Sequence, residues 1–174
     1  MNSYLPATAP DIAPVLAAVL AASARPLTQV LERLSGRELR ITVLSSGERA
    51  LTDSEHYRLG GAAITRCRYR GGLLVTSDGT VAASTSLLWL PARLPADACR
   101  ALDDGTQPAG RILAPYGMHR ADRRALATTG IEDVTGADAA VRSTAVLVVG
   151  GMAAAIAEET ITRAFAQSLA EEHP

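Results

Sequence analysis

The sequence has few aromatic residues and almost no net charge, and each shortage argues against a class of protein. Four Tyr, one Trp and one Phe are too few for the stacked aromatic surfaces that bind single-stranded nucleic acids. The 17 Lys and Arg residues are balanced by 18 Asp and Glu residues, which leaves a formal charge of −1. This balance argues against charge-driven binding to nucleic acids or membranes. All 17 of these cations are arginines, however, and the planar guanidinium can hold a small carboxylate.

Cysteine is equally scarce, and long apolar runs are missing. Cys67 and Cys99 show no ligand or redox spacing, which predicts free core thiols in a reducing compartment. The longest apolar run, residues 12–24, contains Pro14 and is too short to span a bilayer. No basic segment typical of a signal peptide precedes it. We therefore expect a cytoplasmic protein that has no membrane partner.

Motifs for phosphate, dinucleotide or zinc binding are also missing. The three histidines, His56, His119 and His173, lie far apart in the sequence and lack the spacing of metal ligands. Nothing marks a catalytic Ser–His–Asp triad either. We expect no metal and no organic cofactor.

The length of 174 residues indicates one domain, residues 1–174, with a loose arm at 1–8 and a C-terminal tail at 166–174. Apolar periodicity and breaker residues predict the elements. Helices are expected at 12–22, 26–34, 95–102 and 120–127, and residues 108–113 are expected as a turn followed by one helical turn. Strands are expected at 39–43, 62–75, 81–90 and 141–149, and a loop at 45–59. Together these elements predict an α+β fold, a mostly antiparallel sheet with flanking helices.

Two hairpin signals fix the pairing of neighbouring strands. Asp78-Gly79 and Gly150-Gly151 each favour a tight turn between antiparallel strands. The segment after the second turn, residues 152–170, is ambiguous. Its alanine content favours a helix, whereas the turn favours a strand that pairs back over the first half.

Three arginines alternate along one predicted strand. Arg66, Arg68 and Arg70 fall on one face, and such a face is either solvated or supplied with anions. In the functional interpretation, one of them, nearest the Gly71-Gly72 pair, points into a cavity and binds a carboxylate.

An acidic pair, Glu158-Glu159, follows a run of small residues at 153–157. On a C-terminal helix both carboxylates would be exposed. On a strand one of them would face inward, where it would pair with an arginine or hold a proton. The small residues at 82–86 and 153–157 leave volume above the sheet, which is either a ligand cavity or close helix packing.

The order of these features resembles the chorismate pyruvate-lyase family, whose fold is shared by the UTRA ligand-binding domains of transcription regulators. The resemblance covers about residues 20–165 and is sparse. It is carried by Pro26-Leu27-Thr28 with Gly36, Arg70-Gly71-Gly72-Leu73-Leu74 with Asp78-Gly79, Leu90-Pro91, the segment 108–113, and Arg142-Ser143 with Gly150-Gly151 and the acidic pair. It implies a mostly antiparallel sheet with helices that enclose an internal ligand cavity.

The resemblance also implies roles for individual residues. Arg70 matches the arginine that holds the substrate carboxylate, and Leu27 matches an apolar wall position. Glu158 matches the catalytic glutamate, and one further inserted residue would select Glu159 instead. Arg68 and Arg142 complete the predicted substrate-binding set.

The activity implied is elimination of pyruvate from chorismate, or from a close carboxylated analogue, to give a hydroxybenzoate without a cofactor. A glutamate whose pKa is raised by burial suits the proton transfer that this reaction requires. Two alternatives remain open: a dehydratase or cyclase acting on another carboxylated intermediate, and a non-catalytic UTRA-type binding domain. All three take a small carboxylated ligand, in a monomer or homodimer that does not bind nucleic acid.

Overall fold

A single antiparallel sheet organises the molecule. The computed structural model describes residues 11–61, 64–130, 132 and 136–172. The six strands are β1 (Leu39–Ala50), β2 (Arg66–Thr76), β3 (Val81–Trp89), β4 (His119–Ala127), β5 (Ala139–Val149) and β6 (Met152–Thr162). They are ordered β1-β2-β3-β6-β5-β4, and each neighbouring pair is antiparallel.

Within the described residues, six α-helices accompany the sheet. They are α1 (Ala13–Ala22), α2 (Leu27–Ser35), α3 (Asp53–Arg58), α4 (Ala96–Asp104), α5 (Ala109–Leu113) and α6 (Arg163–Glu172). The α+β prediction, with a mostly antiparallel sheet and flanking helices, is confirmed, and so is the fold expected from the resemblance. Within the described ranges, no helix has the length and apolarity needed to cross a bilayer.

Both predicted hairpin turns are present. Asp78-Gly79 lies between β2 and β3, and Gly150-Gly151 lies between β5 and β6. Gly150 and Gly151 have φ angles of 58° and 79°. Positive φ at both central residues is the requirement of a type I′ turn, which glycine meets without steric cost. This turn returns the chain along β5, so residues 152–162 form a strand.

Five helices cover one face of the sheet. Side chains of α1, α2 and α6 pack on this face around Leu31, Leu74 and Phe165. Side chains of α4 and α5 pack further along it, around Trp89 and Leu147. Because side chains alternate along a strand, the neighbours Leu88 and Val146 point to the other face. There they pack with Leu59, Cys67 and Ile156.

Several element predictions need correction. The segment 120–127 is strand β4 and not a helix, because its pairing with β5 overrides the helix propensity of Ala and Arg. The predicted loop at 45–59 contains the rest of β1 and helix α3. The predicted strand at 62–75 begins at Arg66, and residues 62 and 63 lie outside the described part.

The chain end also differs from its prediction. Residues 166–172, expected as a tail, belong to α6, and Leu169 is buried in the core. The expected arm at 1–8 lies outside the described residues. Cys67 and Cys99 are free thiols as predicted, with Cys67 buried and Cys99 partly exposed.

Candidate functional site

A cavity of about 50 Å³ lies between the helix-covered face of the sheet and the beginnings of α2 and α5. Its charged wall combines Arg70 of β2, Arg120 of β4 and Glu159 of β6. Leu27 and Gly110 belong to its helical roof. Three strands that are distant in sequence thus bring two guanidinium groups and one carboxyl group to a single enclosed space.

Arg120 is the most unusual member of the wall. Its side chain is only 1% exposed. Nη2 donates hydrogen bonds to Ser143 Oγ at 2.7 Å and to Glu159 Oε2 at 3.2 Å. Nε and Nη1 are buried and have no hydrogen-bond partner among the residues that the structure describes. Buried N–H groups are nearly always paired, since an unpaired one costs about 1–3 kcal/mol. Two donors of one buried cation beside the cavity are therefore left without a partner in the described part of the chain.

Glu159 stands beside this guanidinium, and its side chain is 11% exposed. Burial raises the pKa of the Glu159 carboxyl, because the charged form loses solvation. The charge of Arg120 and a hydrogen bond with Ser143 oppose this shift, and the neighbouring charge of Glu158 adds to it. The carboxyl group is thus prepared to hold a proton at a higher pH than an ordinary glutamate.

Arg70 lines the same cavity but has partners of its own. Nη1 donates to the carbonyl oxygen of Leu102 at 3.0 Å, and Nη2 donates to that of Gln107 at 2.9 Å. Burial lowers the pKa of Arg70 to about 10, and the charge of Asp103 opposes this shift. The residue therefore remains cationic at neutral pH, while its two bonds fasten the chain between α4 and α5 to the sheet.

The structure brings some of the predicted site residues together and separates others. Arg70, Leu27 and Glu159 line the cavity. Glu158, the first choice for the catalytic glutamate, does not line the cavity. Strand alternation turns it to the opposite face, where its side chain is 65% exposed. Arg142 is exposed on that opposite face as well.

Arg68 lies on the helix-covered side but does not line the cavity. Its guanidinium pairs with Glu48 at 3.2 Å and with Asp103, both at the surface. Its charge is therefore already compensated. Among the predicted arginines, Arg70 is the one that contributes to the cavity.

Sequence reasoning missed Arg120 and its partner Ser143. Arg120 lay in a segment predicted as a helix, in which it had no defined face. Only the pairing of β4 with β5, set by contacts between distant segments, gives it an inward direction. Ser143 is adjacent to Arg142 on β5. Because side chains alternate along a strand, the sequence could have shown that these two residues point to opposite faces.

Over the described part of the chain, no three His, Cys, Asp or Glu side chains are grouped so as to hold a metal ion. The donors around the cavity, two guanidinium groups and several hydroxyls, suit an anion and not a cation.

No family model matches the sequence, and no curated protein matches it either. Solved structures do match the fold. PhnF from Mycobacterium smegmatis aligns with a TM-score of 0.61 at 12% identity, over 81% of this chain and 65% of that one. A possible transcriptional regulator, YydK from Bacillus subtilis, aligns with a TM-score of 0.52 at 11% identity, over 76% and 60%.

A GntR-family transcriptional regulator from Bacillus cereus aligns with a TM-score of 0.50 at 9% identity, over 71% of this chain and 91% of that one. The chain thus spans 65% and 60% of the length of the first two structures. At identities this low the likeness establishes the fold alone. The class that the fold and the cavity define is a helix-covered antiparallel sheet with an enclosed anion-compatible site.

Proposed function

We propose that this chain is a non-catalytic ligand-binding domain of the UTRA type, which holds a small carboxylate in the cavity. The observation that carries the proposal is the guanidinium of Arg120, buried with two unpaired N–H groups. A carboxylate in the cavity would accept from these groups and replace the solvation that burial has removed.

The charge of the cavity wall supports an anionic ligand. Arg70 and Arg120 contribute two positive charges, whereas Glu159 contributes at most one negative charge. The carbonyl oxygens that hold Arg70 carry no net charge. The wall therefore has surplus positive charge even when Glu159 is ionised, and a monoanion would compensate it.

The volume of the cavity limits the size of the ligand. A dry cavity of about 150 Å³ accommodates a benzene molecule. At about 50 Å³, this cavity fits an acid of a few heavy atoms. A cyclic dicarboxylate such as chorismate would require α2 and α5 to move apart. Acetate, propionate and pyruvate are therefore the first compounds to test.

The structural neighbours are consistent with this proposal. Two of the three are described as transcriptional regulators, one of them of the GntR family. A domain of this fold that binds a small molecule would suit such proteins without any chemical step.

The proposal is tested by titrating purified protein with acetate, propionate and pyruvate and recording heat release and thermal unfolding. A compound that binds only the folded protein stabilises it by about 2.7 kcal/mol at 100 times its Kd. Arg120→Met should abolish binding. Arg124→Met is the matched control, since Arg124 lies on the same strand with its side chain 73% exposed, and should bind as the unchanged protein does.

Two results would contradict the proposal. One is that no carboxylate in the series binds or raises the unfolding temperature. The other is that Arg120→Met, shown by circular dichroism to be folded, binds as tightly as Arg124→Met.

A second candidate is the chorismate-lyase activity, and one observation favours it. Glu159, a carboxyl group with a raised pKa, shares the cavity with Arg70. A protonated carboxyl could protonate the ether oxygen as pyruvate leaves. The assay is pyruvate release from chorismate, with Glu159→Gln as the inactive variant. Release by both proteins at one rate, or by neither, counts against this candidate.

A further inference from the structure

Arg120 and Glu159 form an ion pair beside the cavity, and the guanidinium of this pair also carries the unpaired donors. We infer that a carboxylate ligand binds in this cavity together with one proton, which Glu159 takes up. The inference rests on the proposed function and adds that Glu159 is protonated when the ligand is bound.

The geometry forces two carboxyl groups onto one guanidinium. Nη2 of Arg120 is already 3.2 Å from Glu159 Oε2, and the free donors Nε and Nη1 belong to the same planar group. A ligand carboxylate bound to these donors would lie next to the Glu159 carboxyl. Two carboxylates that share one site in a low-dielectric environment do not both remain ionised, so one of them holds a proton.

The other groups around Glu159 do not relieve this repulsion. From β5, Ser143 supplies a hydroxyl, and from β3, Thr85 and Ser86 supply neutral side chains. On the helical side, Thr28 of α2 is neutral, and residues 108–110 at α5 carry no ionisable side chain.

Apart from Arg120, the charged residues that line the cavity or neighbour Glu159 in the chain are Arg70 and Glu158. Arg70 of β2 is bonded to two carbonyl oxygens, and the charge of Asp103 favours its cationic form. Glu158, next in the chain, adds negative charge and favours the protonated form of Glu159. Among the described residues that line the cavity, Glu159 is the carboxyl group that can accept a proton.

The balance of charge is simple. At a pH above the pKa of Glu159 in the free protein, the pair before binding is a guanidinium cation and the Glu159 carboxylate. After binding, the guanidinium is paired with the ligand carboxylate, and Glu159 is a neutral acid whose O–H can donate to the ligand. One anion and one proton have entered, so the net charge of the site is unchanged. Without the proton, the Glu159 carboxylate and the ligand carboxylate would both be ionised beside the one guanidinium of Arg120.

The test is calorimetry with sodium propionate, which is predominantly ionised at every pH used. Titrations in buffers of different ionisation enthalpy, between about pH 6 and 8.5, count the protons taken up. We expect close to one proton per propionate at pH values between the pKa of Glu159 in the free protein and its higher pKa in the complex. There Kd should rise about tenfold for each pH unit, because each binding event consumes a proton.

Two variants locate the proton. Glu159→Gln should bind propionate without proton uptake and with a Kd that no longer depends on pH. Glu158→Gln, altered at the adjacent but outward-facing position, should keep both the uptake and the pH dependence. Carboxyl-carbon NMR of the wild-type protein, labelled at glutamate, should show one carboxyl group that becomes protonated as propionate is added. This experiment tests the inference even if Glu159→Gln does not fold.

The outcomes separate this inference from the proposed function. If propionate binds with a flat pH profile and no proton uptake, the inference is wrong and the binding function stands. If Glu158→Gln, and not Glu159→Gln, removes the pH dependence, the inference is also wrong. If no carboxylate binds at any pH, the proposed function itself fails.

Discussion

The two buried arginines of the cavity show how one residue type serves two roles. The guanidinium of Arg70 is bonded to Leu102 and Gln107, so it joins the sheet to the segment between α4 and α5. The guanidinium of Arg120 keeps two donors unpaired. Arg70 therefore stabilises the wall of the cavity. Arg120 is the residue whose N–H donors we propose as the ligand contacts.

Replacing Arg70 should lower stability. Arg70→Met leaves two carbonyl oxygens without a donor, and we expect the free energy of unfolding to fall by about 2–4 kcal/mol in urea titrations. Arg68→Met, two positions away and paired only at the surface, should change it little. Equal urea midpoints for the two variants would show that Arg70 does not fasten the α4–α5 segment.

At the residue scale, the sequence predicted part of the site. Alternation along a strand placed Arg70 correctly once the strand was recognised, because the side-chain period is two. Because side chains alternate, only one of the neighbours Glu158 and Glu159 can face inward, and a shift of the strand register by one residue would exchange them. Only the pairing of Glu159 with Ser143, across β6 and β5, settles which of them faces inward.

At the scale of elements, the cavity depends on how closely α5 approaches α2. Gly110 in α5 has no side chain, and a Cβ built there would lie 2.4 Å from Pro26 Cβ and 3.0 Å from Thr28 Oγ1. Real Cβ atoms do not approach so closely, so the two helices can meet here only because residue 110 is glycine. Pro26 and Thr28 also line the cavity.

Substituting this glycine should open the roof. In Gly110→Ala the new methyl group pushes α5 away from α2, and we expect a loss of about 1–3 kcal/mol in unfolding free energy together with weaker propionate binding. The control is Gly47→Ala, whose Cβ would meet only the ring of Tyr69, at 3.2 Å, near the sheet edge. Unaltered binding and stability in Gly110→Ala would mean that the α2–α5 contact does not define the cavity.

Elements were predicted where local signals are strong and missed where distant pairing decides. The glycine turns and the helices α1, α2 and α4 follow from periodicity and breaker residues in the sequence, and α5 was predicted as a turn with one helical turn. Strand β4 was predicted as a helix, because Ala and Arg favour helices and the pairing with β5 joins two separate segments of the chain. Helix α3 was overlooked, although Thr52 and Glu55 form a capping box that the sequence displays.

At the scale of the whole molecule, α6 packs into the same core as α1 and α2. Its Phe165 is fully buried in the core shared by α1, α2 and the sheet. Leu169 packs in the same core. The C-terminal helix is therefore part of the hydrophobic interior.

Truncating this aromatic side chain should therefore affect global stability. Phe165→Ala is expected to lower the unfolding free energy by about 3–5 kcal/mol, through lost burial and the cavity left behind. Leu126→Ala removes a large side chain that is 70% exposed, so it should stay within about 0.5 kcal/mol of the unchanged protein. Chemical unfolding followed by circular dichroism compares the two, and similar losses would argue against a core role for α6.

The strand order has a consequence for folding of the protein. Strands β1–β3 and β4–β6 form two meanders that meet only where β3 lies beside β6. The first meander brings one of the guanidinium groups, and the second brings the other together with the inward-facing glutamate. If the cavity binds a carboxylate as proposed, the described chain would acquire that affinity only after β6 has docked against β3, so the ligand would stabilise the completed sheet and not earlier folding intermediates.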